Sequence, residues 1–283
     1  MKTIKVGKHK IGNDQKVRFV AELGVNHLGS YETAIEMIDK SIEAGSDFLK
    51  FQTYKSEKRY DRKTNSKADN FIKNLANWEF NREDDEKLWT YAKNKGAQIF
   101  TSPFDVESLS FAEKMGSIAY KIAAFEINNH VLIEEICKTK KPIFISRGMC
   151  TLEEMDKVVN MFEKYSCPYV ILHTISSYPL EKINSNLNMI HTLRNRYHCP
   201  IGHSDHTHGT EIPPLAVAAG ADVIEKHFTV TPKRRESDNF FSVTKEEVEE
   251  IKFKIDQVRK YMGRGDIEKI PTEEFMWEFR RKT

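Results

Sequence analysis

The stretch PIFISRGMCTLEEMDKVVNMFEKYSCPYVILHT, from Pro142 to Thr174, decides the fold. Its ends, PIFIS from Pro142 and YVILHT from Tyr169, are short runs too apolar to be half-exposed, the pattern of parallel strands covered on both faces. Between them Thr151-Leu-Glu-Glu154 forms a capping box, and Met155, Val158, Val159 and Phe162 recur on one helical face. Strand, helix, strand in this order is a right-handed βαβ unit.

The same alternation runs outward in both directions. FVAEL from Phe19, FLKFQT from Phe48, QIFTS from Gln98, IAYKIAA from Ile118, PIGHS from Pro200 and DVIEKHF from Asp222 bring the strand-like runs to eight. Helix signals separate them: Ser30 opens a segment closed at Gly45, Asn81 with Asp84 opens one closed near Gly96, and Thr244-Lys-Glu-Glu247 opens one ended by Gly263. Eight such units close into an α/β (β/α)8 TIM barrel. An open doubly wound sheet is the alternative, and the absence of a G-x-G-x-x-G fingerprint argues against it.

The expected organisation is a β-hairpin over residues 1–17, a catalytic barrel over 18–263 and a tail over 264–283. The hairpin is expected to turn at Gly12-Asn13-Asp14 and to plug the bottom of the barrel. The long, polar, Lys/Asn-rich stretch from Tyr54 to Asn77 reads as a loop acting as a lid, a disordered insertion being the alternative.

Composition narrows the function. With 283 residues and 39% hydrophobics the chain can bury a large core, and 44 Lys plus Arg against 42 Asp plus Glu leave a net charge of only +2. That balance lacks the electrostatic footprint of a nucleic-acid binder. The longest mostly apolar stretch, Ile212 to Ile224, is too short to span a bilayer and holds two prolines, so no membrane partner is expected. The N-terminus MKTIKVGKHK has no apolar core for a signal peptide. Cys137, Cys150, Cys167 and Cys199 have no C-x-x-C spacing and read as reduced packing residues, so the expected setting is the cytoplasm.

In barrels of this kind chemistry gathers at the carboxyl ends of the strands. Here those ends carry Glu22, Lys50 with Gln52, Ser102, Lys121 with Glu126, Ser146, His173 with Thr174, Ser204 with Asp205 and His206, and Lys226 with His227. Lysines and hydroxyls beside acids describe a site for a small anion such as a phosphate dianion. Each residue alone could be an ordinary surface group. The concentration is the signal. His206 and His227 leave neighbouring strands and could share a divalent ion such as Mn²⁺, Fe²⁺, Co²⁺ or Zn²⁺, with Asp205 or Glu225 orienting a ligand. Two satisfied polar histidines are the bland alternative, and His203 and His208 compete for the assignment.

Taken together, FVAELGVNHLGS, LKFQTY, TSPF, AYKIAAFE, PIFISRGM, IGHSDHT and VIEKHFT resemble, in order and spacing, the sialic acid synthases, from about Ile11 onward. Those enzymes condense phosphoenolpyruvate with an N-acetylated sugar, and the KIAAFE and KFQTY wording looks more like the pseudaminic and legionaminic branch. The resemblance implies phosphate binding by Lys50 and Lys121 with Ser102, Ser146 and Ser204, and a metal on His206 and His227, Mn²⁺ first and Co²⁺ or Mg²⁺ after it. It implies Glu22 as the acid near the reacting carbons, with Glu126 as a second and Lys121 completing the catalytic set. Sugar contacts fall on Gln52, Tyr178 and Asp238, and Ser176 stands on the substrate side where the sialic acid enzymes have Asn.

Departures accompany the likeness. Ala124 stands where a Ser is frequent, Arg147 stands where Thr is usual and is expected to supply charge, and Arg235-Glu236-Ser237-Asp238 replaces a Pro-Gly-Pro-Asp wording. The family normally continues into an antifreeze-like domain that reaches over the partner barrel of a homodimer. This sequence stops at PTEEFMWEFRRKT, where the linker would begin, and a homodimer remains the expectation. Two other readings stay open: a Schiff-base aldolase using Lys121 or Lys50, and a non-catalytic barrel that binds a partner.

Overall fold

Alternation along each barrel strand sorts side chains to two cores. In a computed structural model describing residues 3–13, 15–60, 62, 67–263 and 270–281, all eight apolar runs are parallel strands. They are β3 (Arg18–Glu22), β4 (Phe48–Thr53), β5 (Ile99–Pro103), β6 (Tyr120–Ile122), β7 (Ile143–Arg147), β8 (Tyr169–His173), β9 (Ile201–Asp205) and β10 (Val223–His227). They pair in chain order, and β10 closes on β3 through the register pair His227 and Glu22. The fold is a closed (β/α)8 barrel.

Outward residues Phe19, Ala21, Leu49, Ile99, Ile143, Ile145, Ile171, Ile201 and Ile224 pack against the helices. Those helices are α1 (Tyr31–Glu43), α3 (Arg82–Asn94), α4 (Val106–Lys114), α5 (His130–Lys138), α6 (Leu152–Lys164), α7 (Asn188–Arg196), α8 (Ile212–Ala218) and α9 (Lys245–Met262). The expected capping boxes form on α6 and α9, satisfying amide donors that a helix start leaves open. On α6, Met155, Val158, Val159 and Phe162 are all buried.

Inward residues Val20, Phe48, Phe100, Ala119, Phe144, Val170 and Val223 fill the lower barrel, with Phe100 and Phe144 stacked at 4.8 Å. A hairpin of β1 (Ile4–Val6) and β2 (His9–Ile11) buries Ile4, Val6 and Ile11 against this layer and plugs the bottom. Its turn lies at Gly7-Lys8, where Gly7 takes φ +53°, and not at Gly12-Asn13-Asp14. Two-residue hairpin turns need left-handed backbone, which Gly7 adopts without a Cβ penalty. Asp14 lies outside the described residues.

The lid segment also differs from a loop. It contains a short 3-10 turn at Ser56–Lys58 and a helix, α2 (Ala68–Trp78). Ala68, Ile72, Leu75 and Trp78 recur at helical spacing, and Leu75 and Trp78 pack on Val25, Tyr54 and Phe104 at the barrel mouth. Residues 61 and 63–66 within it lie outside the described residues, as do 264–269 and 282–283 of the tail, where Pro271–Phe279 is a 3-10 turn. All four cysteines are free, three of them buried. Among the described residues no helix is long and apolar enough to cross a membrane.

Candidate active site

Two positions above the apolar layer the inward side chains turn polar on seven of the eight strands, β8 keeping Leu172 there. Val20 is followed by Glu22, Phe48 by Lys50, Phe100 by Ser102, Ala119 by Lys121, Phe144 by Ser146, and Val223 by Glu225, while Ser204 follows Gly202 on β9. The pleat alone produces this stacking. The polar layer floors a cavity of about 640 Å³ at the carboxyl ends of the strands.

The floor is an interleaved set of charges and hydroxyls. The Lys50 ammonium makes a very short ion pair with Glu22 Oε2, donates to Ser102 Oγ at 3.3 Å and lies 3.9 Å from Glu225 Oε2. The Lys121 ammonium donates to Ser146 Oγ at 2.7 Å and lies 3.4 Å from Glu225 Oε1, which also accepts from Ser204 Oγ at 3.0 Å. Gln52 Nε2 donates to Glu22 Oε1 at 2.6 Å. Gly24 bends the chain past this pair with φ +53°, and a Cβ there would come within 3.1 Å of Glu22 Oε1.

Burial and charge push these groups apart. Burial raises the Glu22 carboxyl above its ordinary range, with Glu225 adding and Lys50 opposing. Glu225 feels the same burial, but Lys121 and Lys50 outweigh it and hold its carboxyl low. Lys50 stays firmly charged, because Glu22 and Glu225 overcome its desolvation. Burial wins at Lys121 and lowers it. One carboxyl held up and one held down in a single cluster is the arrangement that divides acid from base work.

His206 and His227 stand on the rim over this floor, ring centres 5.6 Å apart, beside Tyr178 and Phe241. Burial brings His206 down to about 4 and His227 well below its ordinary value, so both imidazoles are neutral. The Nδ1 of His206 meets the Ile175 carbonyl at 2.9 Å; the carbonyl accepts, so the proton sits there and leaves Nε2 a bare lone pair. His227 Nδ1 is buried without a hydrogen bond, 3.4 Å from Asp238 Oδ2. Burial, with Glu22 adding, lifts the Asp238 carboxyl to about 7. Two neutral imidazoles suit a borderline divalent ion, and no third His, Cys, Asp or Glu among the described residues joins them in a group able to hold one. The remaining positions of such an ion would fall to water and substrate.

A family model for the NeuB family matches residues 37–267. The chain belongs to the NeuB family. It is 35% identical to the pseudaminic acid synthase of Campylobacter jejuni over 267 residues, 89% of this chain and 76% of that protein. It is 33% identical to the N,N'-diacetyllegionaminic acid synthase of Legionella pneumophila over 278 residues, covering 93% of this chain and 77% of that one. The crystal structure of the N-acetylneuraminic acid synthetase from Leptospira borgpetersenii, in complex with citrate, superposes with TM-score 0.92 at 36% identity, over 99% of this chain and 96% of that one. This NeuB-family member is thus an enzyme of the carbon–carbon bond-forming synthase kind.

Of the residues expected at the site, Glu22, Lys50, Gln52, Ser102, Lys121, Ser146, Ser176, Tyr178, Ser204, His206, His227 and Asp238 all line the cavity. Glu126 does not. It sits on the short turn Ala124–Glu126, accepts from Asn129 Nδ2 at 2.7 Å and lies 3.6 Å from Arg59, so it backs the wall and does not reach the floor. Arg147 is also outside the lining: it neighbours Ser146 and therefore points to the other face of β7. Ala124 lines the cavity with no hydroxyl to offer. Asp205, Lys226 and His173 face the helices as well. Two further residues line the cavity. Glu225, read as an orienting group, lies in the floor itself; its signal was its place two residues before His227, on the same face. Arg59, from the lid segment, lines the cavity with its guanidinium 3.4 Å over the Phe104 ring, and its buried Nη1 has no hydrogen bond. No motif pointed to it.

Proposed function

We propose that this enzyme condenses phosphoenolpyruvate with a sugar aldehyde to give a 2-keto-3-deoxy, sialic-acid-like sugar acid and inorganic phosphate. The observation that carries the reading is the floor: two buried ammonium groups, each beside a serine hydroxyl, interleaved with two carboxylates. Lys50 and Lys121, with Ser102, Ser146 and Ser204, are suited to hold a phosphate and to neutralise charge as it departs. Ser176, whose buried Oγ has no partner, and Tyr178 and Gln52 are available to the acceptor sugar.

In the reaction the methylene carbon of phosphoenolpyruvate bonds to the aldehyde carbon, and the aldehyde oxygen takes a proton. The second carbon of the former enol becomes cationic and takes up water, which loses a proton. The tetrahedral centre then expels phosphate as its carbon–oxygen bond breaks, the remaining hydroxyl proton passing to the departing phosphate, and the ketone is left. Glu22, whose carboxyl burial raises above its ordinary range, is the proton-exchanging group, and Glu225, whose carboxyl Lys121 and Lys50 hold low, faces the developing positive charge. His206 and His227 would hold a divalent ion, Mn²⁺ in the first instance, whose chemistry when bound is Lewis-acid polarisation of the aldehyde oxygen. Homodimerisation and a cytoplasmic setting belong to the same proposal, the first checked by light scattering of the purified chain.

A second reading has one observation in its favour: burial lowers Lys121, which favours a free amine and a Schiff base. Borohydride trapping with a keto acid tests it, a covalent adduct meaning aldolase chemistry. The proposal itself is tested by phosphate release from phosphoenolpyruvate across a panel of aldehydic sugars, with and without Mn²⁺. Release that depends on both sugar and metal supports it, and release with neither sinks it.

A further inference from the structure

Behind the mouth, on the face of β9 and β10 turned from the cavity, lies an ion pair with no exposure at all. Lys226 and Asp205 are register partners on the two strands, and the Lys226 ammonium sits 2.5 Å from Asp205 Oδ2. The same ammonium donates to the Thr207 carbonyl at 2.6 Å. Thr207 in turn donates to Asp205 through its N–H at 3.0 Å and its hydroxyl at 3.2 Å. Both members of the pair have 0% side-chain exposure.

Each member directly precedes a histidine of the rim: Asp205 precedes His206, and Lys226 precedes His227. Successive side chains on a strand face opposite ways, so the ion pair points to the helices while the imidazoles point to the cavity. His206 is therefore bracketed by two residues, 205 and 207, both tied to one ammonium that sits next to His227. Other contacts orient His206 alone, namely the Ile175 carbonyl on its ring and the Leu180 N–H on its own carbonyl. Lys226 thus links the two strands one register position above the Ser204–Glu225 hydrogen bond, and on the opposite face.

A pair this deeply buried is weak as a source of stability, because desolvating two charges offsets most of their attraction. Its worth lies in geometry. We infer that Lys226, acting through Asp205 and Thr207, is a positioning residue that sets the separation and aim of His206 and His227 for sharing one divalent ion. The inference rests on the metal reading above.

The test is calorimetric titration of Mn²⁺ into metal-stripped protein, alongside the melting temperature in chelator. The variants are His206→Ala, Asp205→Asn, and the double replacement Asp205→Asn with Lys226→Met, which removes both charges and leaves no unpaired buried ion. The double variant is expected to melt near wild type in chelator and yet to bind Mn²⁺ roughly 10- to 100-fold more weakly, as for lost outer-sphere support of a metal ligand. Asp205→Asn alone, which keeps the Lys226 contact to Thr207, is expected to fall between. Unchanged Mn²⁺ affinity in the folded double variant overturns the inference, and if that variant does not fold, unchanged affinity in Asp205→Asn does so. Unchanged affinity in His206→Ala sinks the metal reading first, and the inference with it.

Discussion

Replacing Lys50 by Met separates the two jobs that its ammonium performs. In the folded protein it compensates Glu22, to which it is hydrogen-bonded, and Glu225 at 3.9 Å, all three being almost fully buried. In the proposed reaction it also anchors phosphate. Losing one charge-assisted contact to that phosphate costs about 1.5–3 kcal/mol, which is roughly 10- to 150-fold in kcat/KM for phosphoenolpyruvate at about 1.4 kcal/mol per tenfold. Breaking a buried pair by removing one partner costs stability on the order of 3–5 kcal/mol. The stability loss has a pH signature. Without Lys50 the Glu22 carboxyl moves further up from its already raised position, so the variant is penalised above the unfolded-state value of a glutamate. Its deficit against wild type should therefore shrink as pH falls toward that value. Adding Glu22→Gln to Lys50→Met removes the uncompensated charge and should recover the melting temperature without recovering use of phosphoenolpyruvate. The assay is steady-state phosphate release with phosphoenolpyruvate varied at saturating sugar. A KM for phosphoenolpyruvate within twofold of wild type in a folded Lys50→Met protein would refute the assignment.

Chelator should abolish turnover and added Mn²⁺ or Co²⁺ restore it, with His206→Ala and His227→Ala inactive yet folded by circular dichroism; full activity in exhaustively chelated enzyme would remove the metal from the mechanism. Arg59→Ala should raise the KM for the acceptor sugar several-fold while leaving that for phosphoenolpyruvate alone, since Arg59 lines the lid side of the cavity and not the floor; an equal rise in both would place it wrongly. Phe48→Ala should cost about 3–5 kcal/mol in urea unfolding with little change in either KM, because Phe48 lies in the closed lower layer.

The barrel was legible because each of its eight strands begins as a short apolar run, and parallel strands buried on both faces keep their lower positions apolar. The site was legible for a related reason. Glu22, Lys50, Ser102, Lys121, Ser146 and Ser204 interrupt those runs at one height, where a structural residue would have been apolar. What stayed hidden depends on direction and not on position. Asp205, Lys226 and Arg147 sit at strand ends too, but the pleat turns them to the helices, and only an alternation counted from a residue of known facing separates them from their neighbours. The same count from His227 would have placed Glu225 in the floor. Glu126 and Arg59 lie beyond the strands, where no period fixes facing. The hairpin turn was misplaced because two glycines compete for it, and a strand of only three residues offers too short an alternation to choose. α2 was missed because its polar face carries enough Lys and Asn to resemble a loop, although Ala68, Ile72, Leu75 and Trp78 keep helical spacing.

The division of seven strands into a lower apolar and an upper polar inward position also explains how so charged a floor is tolerated. Lys50, Lys121, Glu22 and Glu225 are each at most 4% exposed, and isolated charges would not survive there. They survive as an alternating set in which each ammonium has a carboxylate and a hydroxyl. The rigidity that holds them comes from below, where Phe48, Phe100 and Phe144 lock the barrel and the hairpin seals it. It also comes from the sides, where the Lys226 and Asp205 pair ties the last two strands. An incoming phosphate would meet ammonium groups already desolvated and already aimed, so little of its binding energy goes into ordering them. The carboxylates that compensate the ammonium groups before substrate arrives are the same groups that then face the reacting carbons. Glu22 and Glu225 therefore link fold and chemistry: removing either charge should alter the protonation of the other, and the two are expected to act on the pH profile of turnover as a pair.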